Sequence, residues 1–333
     1  MALPAPVAEV AFPLAALVSI AASGVAVSRL ERVAGRLGFS EAALGLLVAL
    51  AADSPEITSA VSALLHGHAD IGAGVVLGSN VFNLAALLGL AALVAGRLHL
   101  HRRVAALDGV AATWVAAVCV VVVATPLGPA PGMALVAAGV GPYIALTVLS
   151  ERTLERLRIP PAAAAWCRQA VAEEVADFAP ALDRTPYRPR DAAVATASLA
   201  VVIAASTVME RTAQSLGARW HLSGLVVGGV VLAGVTSLPN VVGAVHLARR
   251  GRGAAVLSEA LNSNMLNVVA GLFVPGVIIG LGPSGAGTLV AVWYAALTVV
   301  SVLLVWWGRG LRRPAGIVIV AGYLAFVGAA LTR

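Results

Sequence analysis

Ala52-Asp53-Ser54-Pro55-Glu56 and Thr236-Ser237-Leu238-Pro239-Asn240 occupy equivalent places in two stretches, Ala43 to Gly96 and Val227 to Gly280, that align without a gap at an offset of 184 residues. Gly45 answers Gly229, Pro55 answers Pro239, Gly67 answers Gly251, Ser79-Asn80 answers Ser263-Asn264, Asn83 answers Asn267, and Gly96 answers Gly280. Each copy sets a proline and a polar cluster inside an apolar run of membrane-spanning length. A duplicated, broken-helix pattern of this kind places an ion site where the copies meet near the bilayer midplane.

The rest of the chain has the composition such helices require. Of 333 residues, 60% are hydrophobic and 11% charged, too little polar surface to cover a water-soluble core of that size. About 20 apolar residues cross a bilayer. The runs that qualify are Val10–Ser28, Ala42–Leu65, Ile71–Gly96, Val104–Thr125, Pro131–Ser150, Ala192–Met209, Leu222–Leu247, Ala254–Gly282, Gly285–Gly308 and Pro314–Thr332. The predicted fold is an all-α membrane protein with ten transmembrane helices in two inverted five-helix repeats. Residues 1–150 form the first repeat, residues 192–333 the second, and residues 151–191 a charged linker. In that linker Trp166, Val171, Val175, Phe178 and Leu182 share one helical face and Arg168, Glu173, Glu174 and Asp177 the other. Either an interfacial helix or a solvated linker helix has that pattern. No small-residue cleavage site follows the first run, so no removable signal peptide is expected.

All 22 basic residues are arginine. With ten spans, 19 of them fall on one side: Arg29, Arg32 and Arg36, then Arg97, Arg102 and Arg103, seven in the linker, Arg249, Arg250 and Arg252, and Arg309, Arg312 and Arg313. Only Arg211, Arg219 and Arg333 lie opposite. Arginine in short loops is retained in the cytoplasm, so the linker is expected inside and both termini outside, in the cytoplasmic membrane of a prokaryote. The net charge of +6 then reflects topology. Dispersed juxtamembrane arginines form no nucleic-acid recognition surface. An odd number of spans per half makes the second copy enter the membrane from the other side. A pseudo-two-fold axis in the membrane plane would join the two polar clusters, and exchange of the two halves' conformations offers alternating access.

Asp53 and Glu56 lie near the middle of a membrane run, where acids cost several kcal/mol unless they face a cavity or partner. Pro55 and Pro239 each lack an amide hydrogen, which is expected to leave the carbonyls of Ala51 and Val235 open to a cation. Asp53 with Glu56, and Ser237 with Asn240, are three apart. Ser79 with Asn83, and Ser263 with Asn267, are four apart, so each pair shares a helix face. The set is all oxygen. Hard cations such as sodium or calcium bind it, whereas zinc and copper prefer nitrogen and sulfur. Two carboxylates on one face of a low-dielectric site do not both ionise cheaply, so one holds a proton when no cation is bound, a route to proton coupling.

These residues resemble the sodium/calcium exchanger superfamily, whose two alpha repeats carry a Gly-Thr-Ser-Leu-Pro-Glu type motif and a Gly-Ser-Asn-Ile-Phe-Asn type motif. Thr236-Ser237-Leu238-Pro239-Asn240 and Gly78-Ser79-Asn80-Val81-Phe82-Asn83 match closely. Asp53-Ser54-Pro55-Glu56 and Asn262-Ser263-Asn264-Met265-Leu266-Asn267 match more loosely. The resemblance implies that Glu56, Ser79, Asn83, Thr236, Ser237, Asn240, Ser263 and Asn267 are ion ligands, with Asp53 added on its spacing, and that the first and sixth spans are sliding gate helices. It implies a cation antiporter exchanging Na+ or H+ against Ca2+ or another cation. The departures are Asn240 and Asn267 in place of acids, Ala52 in place of threonine and Asp53 in place of serine. Fewer carboxylates weaken the field for a divalent ion, which keeps open an Na+/H+ or K+-linked exchanger that does not carry calcium.

Other chemistries lack parts. An intramembrane hydrolase would need Ser54 with a histidine, and His66, His68, His99, His101, His221 and His246 lie mostly in loops or at span ends, where a wet surface histidine is the ordinary case. There is no His-Glu-x-x-His run and no phosphate-binding glycine loop with lysine. Cys119 and Cys167 form no metal or redox spacing. The chain is therefore expected not to be an enzyme, to need no cofactor, and to have lipid and cations as partners. Glu259, on nearly the same stripe as Ser263 and Asn267, either lines the access pathway or is neutralised by Arg249, Arg250 or Arg252.

Overall fold

The computed structural model describes residues 5–36, 49–148, 160–178, 186–308 and 310–332. Its helices are α1 (Ala5–Arg36), α2 (Ser54–Leu65), α3 (Ala69–Ala95), α4 (Arg102–Ala124), α5 (Pro129–Val148), α6 (Pro161–Phe178), α7 (Arg190–Arg219), α8 (Gly224–Thr236), α9 (Leu238–Arg249), α10 (Gly253–Ile279), α11 (Gly285–Gly308) and α12 (Arg313–Leu331). A two-residue antiparallel pairing of Arg97–Leu98 with Leu311–Arg312 joins the end of α3 to the start of α12. Among the described residues seven helices are long and apolar enough to cross a membrane, and α8 with α9, bent by 47° at their break, make an eighth. The predicted runs 42–65 and 131–150 fall partly outside the described residues.

The two copies repeat in conformation as well as in sequence. Asp53 (φ −79°, ψ −4°) interrupts the helix before α2, and Ser237 (φ −81°, ψ −4°) interrupts it before α9. Each following helix starts with its proline in the first turn, where the missing amide hydrogen is harmless. Both helices end twelve residues on, at His66 and Arg250 with φ −88°. Gly67 (φ 81°) and Gly251 (φ 76°) then turn the chain, a left-handed conformation that glycine adopts without strain. Later in each copy a π-helical stretch, Leu84–Leu90 in α3 and Asn267–Phe273 in α10, follows the asparagine motif.

Two predicted boundaries are corrected. The first apolar run marks only the middle of α1 and the sixth only the first two-thirds of α7, helices 32 and 30 residues long. Arginine and glutamate are good helix formers, so both helices continue past the apolar run. Asp191, placed in the linker by its charge, is buried in the first turn of α7 and accepts from Arg29 of α1 at 2.9 Å. Within the linker, the face of α6 turned to the bundle is Ala164, Cys167 and Ala170, all buried, while Trp166 is exposed. The other apolar side chains predicted for that face lie outside the described side chains. Arg103 of α4 donates to Glu173 at 2.8 Å and holds α6 in place.

The most deeply buried element is α3. Gly74 and Gly78 on it meet Gly228 and Gly229 of α8 so closely that a Cβ on Gly78 would lie 2.2 Å from the Gly229 carbonyl oxygen. Small residues let helix backbones approach in this way. The crossing brings repeat one directly onto repeat two. α1 and α7 pack along each other, with Ser19 and Ser206 hydroxyls 3.0 Å apart.

Candidate functional site

Four helix segments deliver the polar cluster: the first turns of α2 and α9, and the middles of α3 and α10. Asp53 Oδ1 accepts from Asn240 Nδ2 and from Ser263 Oγ, both at 2.8 Å. Glu56 Oε1 accepts from Ser237 Oγ at 2.5 Å, and Glu56 Oε2 accepts from Asn267 Nδ2. Every one of these bonds crosses from repeat one to repeat two. Under the 184-residue offset, Asp53 maps to Ser237 and Glu56 to Asn240, so the Asp53–Asn240 and Glu56–Ser237 contacts are mates of one another.

A second symmetric set locks the crossing of α3 and α10. Asn80 Nδ2 donates to the Asn264 carbonyl at 3.0 Å, and Asn264 Nδ2 returns the bond to the Asn80 carbonyl at 3.0 Å. Asn83 Nδ2 donates to Asn264 Oδ1 at 3.2 Å, and its mate Asn267 Nδ2 donates to Asn80 Oδ1 at 3.4 Å. Asn83 also reaches Ser263 Oγ at 3.4 Å. The pseudo-two-fold axis therefore passes between Asn80 and Asn264. Both carboxylates come from repeat one, so the contacts are symmetric and the charge is not.

The cluster is closed to bulk solvent and under-satisfied by protein groups. Asp53, Glu56, Ser79, Asn83, Thr236, Ser237, Asn240, Ser263 and Asn267 are all at most 3% exposed. Asp53 Oδ2, Asn83 Oδ1, Asn267 Oδ1 and Ser79 Oγ are buried without hydrogen-bond partners; Ser79 lies beside the Glu56 carboxyl but outside bonding geometry. Buried polar atoms are almost always paired. Four unpaired oxygens, one on the Asp53 carboxylate and three on neighbouring side chains, are the donor set a hard cation takes.

Two groups are arranged otherwise than the expected open ligands. The Ala51 carbonyl, expected to be open to a cation, accepts from Ser54 Oγ at 2.6 Å and from Ser23 Oγ of α1 at 3.0 Å. Hydroxyls replace the amide that Pro55 lacks. The Thr236 hydroxyl turns back onto its own helix, donating to the Leu232 and Ala233 carbonyls at 2.9 and 3.3 Å, and does not reach the carboxylates. That is the ordinary back-bonding of threonine inside a helix.

Sequence reasoning missed Asn80 and Asn264 as the pair on the axis, although their duplication was visible. It also missed Glu210, the residue that follows the sixth apolar run. In α7 it is fully buried, accepting from Ser62 Oγ of α2 at 3.2 Å, with His68 Nδ1 3.3 Å away. His66 and His68 are thus parts of a polar tie between α2 and α7 rather than plain surface residues. Nothing in a single sequence pairs positions 148 residues apart.

With the fold and cluster described, kinship is plain. The sodium/calcium exchanger protein family model matches residues 8–150 and 191–332, so this chain is a member of that family of membrane cation antiporters. Solved structures share the fold. YfkE in its native form has 16% identity and a TM-score of 0.65, covering 99% of this chain and 97% of its own. The H+/Ca2+ exchanger CAX has 12% identity and a TM-score of 0.68, covering 98% and 86%. The sodium-calcium exchanger NCX_Mj, soaked with Na+ and Sr2+, has 18% identity and a TM-score of 0.58, covering 98% and 99%. No curated protein matches the chain in sequence.

Proposed function

We propose that this chain exchanges Na+ or H+ against Ca2+ or another cation by alternating access, across ten spans in two inverted five-helix halves. The linker lies in the cytoplasm and both termini outside. The observation that carries this reading is the buried cluster in which Asp53 and Glu56 of one repeat meet Ser237, Asn240, Ser263 and Asn267 of the other, with four oxygens left unpaired. A transported cation would complete those atoms, and no resident cofactor is called for. Glu56 and Asp53 supply charge, and Ser79, Asn83, Ser237, Asn240, Ser263 and Asn267 supply neutral oxygens. Thr236 would join through a rotated hydroxyl. α1 and α7 are the moving gate; Ser23 of α1 rests on the Ala51 carbonyl beside the site.

The CAX neighbour is an H+/Ca2+ exchanger and NCX_Mj a sodium-calcium exchanger, and both readings of the counter-ion extend to this chain. One observation favours a second possibility, an Na+/H+ or K+-linked exchanger without calcium. Both carboxylates sit in repeat one and the mates of Glu56 and Asn83 are Asn240 and Asn267, so the field is weaker than a set with acids in both repeats would give.

Purified protein in sealed proteoliposomes, under an imposed sodium or pH gradient, is expected to drive calcium uptake. Sodium-driven proton movement without calcium movement selects the second reading, and no cation movement defeats both. Asp53→Asn is expected to flatten the pH dependence of transport and to change the number of protons moved per cycle, since the paired acids then no longer share a proton. Unchanged stoichiometry and pH profile would rule out proton coupling through this pair.

A further inference from the structure

Glu259 stands one turn beyond the Asp53 end of the cluster. Ser263 and Glu259 are four apart on α10, and Asn240 and Gly243 three apart on α9, so each pair occupies adjacent turns of one stripe. Ser263 and Asn240 hold Asp53 Oδ1. One turn toward the Arg249–Arg252 end, the Glu259 carboxyl lies over Gly243, where a Cβ would be 3.1 Å from Oε1. The glycine makes room for the acid.

Neither acid is fully used. Asp53 Oδ2 and Glu259 Oε2 are both buried without a hydrogen-bond partner. Among the described residues no ion pair reaches Glu259, and Arg252, one of the three arginines weighed as a neutralising partner, keeps its own Nη1 unpaired. An unpaired acid at this depth is costly and needs a use. The symmetry mates of Glu259 and Gly243 are Val75 and Ser59, both buried, so repeat one has no acid at the equivalent place.

We infer that Glu259 and the free oxygen of Asp53 form a second cation station, through which a hard cation passes between the central cluster and the Arg249–Arg252 face, and that the opposite face has no counterpart. This rests on the antiporter reading. The test is calcium flux in proteoliposomes holding protein of one orientation. Glu259→Gln is expected to raise the half-saturating calcium concentration about tenfold on the linker face, because ligand charge sets calcium affinity, and to leave the opposite face unchanged. An equal change on both faces, or none on the linker face, overturns the station.

Wild-type protein that moves no cation defeats the antiporter reading, and the station is then judged separately. Glu259→Cys, with Cys119 and Cys167 changed to serine, is expected to react with a membrane-impermeant thiol reagent from the linker face only, and more slowly when calcium is present. Reaction from the other face, absence of reaction, or indifference to calcium overturns it.

Discussion

Glu56→Gln is expected to abolish cation transport, with at least ~100-fold loss of calcium affinity. A unit charge about 4 Å from a cation contributes on the order of 4 kcal/mol per cation charge at an effective dielectric near 20, and about 1.4 kcal/mol is tenfold. The substitution keeps size and shape. Ser237 donates to one carboxyl oxygen and Asn267 to the other, and a glutamine presents its amide NH2 to one of them. A serine hydroxyl can turn and accept, so the fold should survive. Loss of flux with an unchanged melting profile would therefore report charge rather than collapse. Flux and calcium dependence close to wild type would remove Glu56 from the ligand set and with it the central claim about the site. The milder expectation for Asp53, whose Oδ1 is held by Asn240 and Ser263, separates the two acids: Glu56 should be indispensable to binding and Asp53 to proton coupling.

The parts of this architecture that were legible in the sequence are those in which one residue type has one mechanical meaning. Proline inside a membrane run demands a break, and both breaks occur two residues before it, at Asp53 and Ser237. Gly67 and Gly251 were legible only as a repeated pair; the positive φ with which they end each half-helix comes from the structure. Serine and asparagine four apart on α3 and α10 were bound to share a stripe, and their duplication pointed to a meeting place. What stayed hidden depends on side chains choosing among partners. A carbonyl freed by proline can serve a cation or a hydroxyl, and only the packing of α1 brings Ser23 to Ala51. Thr236 had a ligand's position but bonds to its own helix. Glu210 has no local pattern at all; its burial follows from α7 continuing past the apolar run, beneath His66 and His68.

Gly78→Ala should damage the protein more than any other single methyl group at the repeat crossing. A Cβ at this position would fall 2.2 Å from the Gly229 carbonyl oxygen and 2.4 Å from the Gly229 Cα. Both are backbone atoms of α8, so no side-chain rotation relieves the contact. Overpacking a tight core typically costs about 1–3 kcal/mol, and with backbone on both sides the cost here should reach at least ~3 kcal/mol. Gly234→Ala is the matching control: it lies in the same helix as Gly229, a Cβ added there would meet nothing within 4 Å, and alanine is the better helix former by about 1 kcal/mol. In detergent, Gly78→Ala should lower the melting temperature by several degrees or abolish recoverable protein, while Gly234→Ala should leave it equal or higher. Equal melting of the two variants would show that α3 and α8 do not approach as described. The consequence for function follows from adjacency, because Ser79 is the next residue and Asn80 flanks the pseudo-two-fold axis. Any separation of α3 from α8 shifts repeat one against repeat two, and the hydrogen bonds that carry Asp53 and Glu56 across that boundary lengthen with it. Surviving Gly78→Ala protein should therefore bind cations more weakly even though it has lost no ligand.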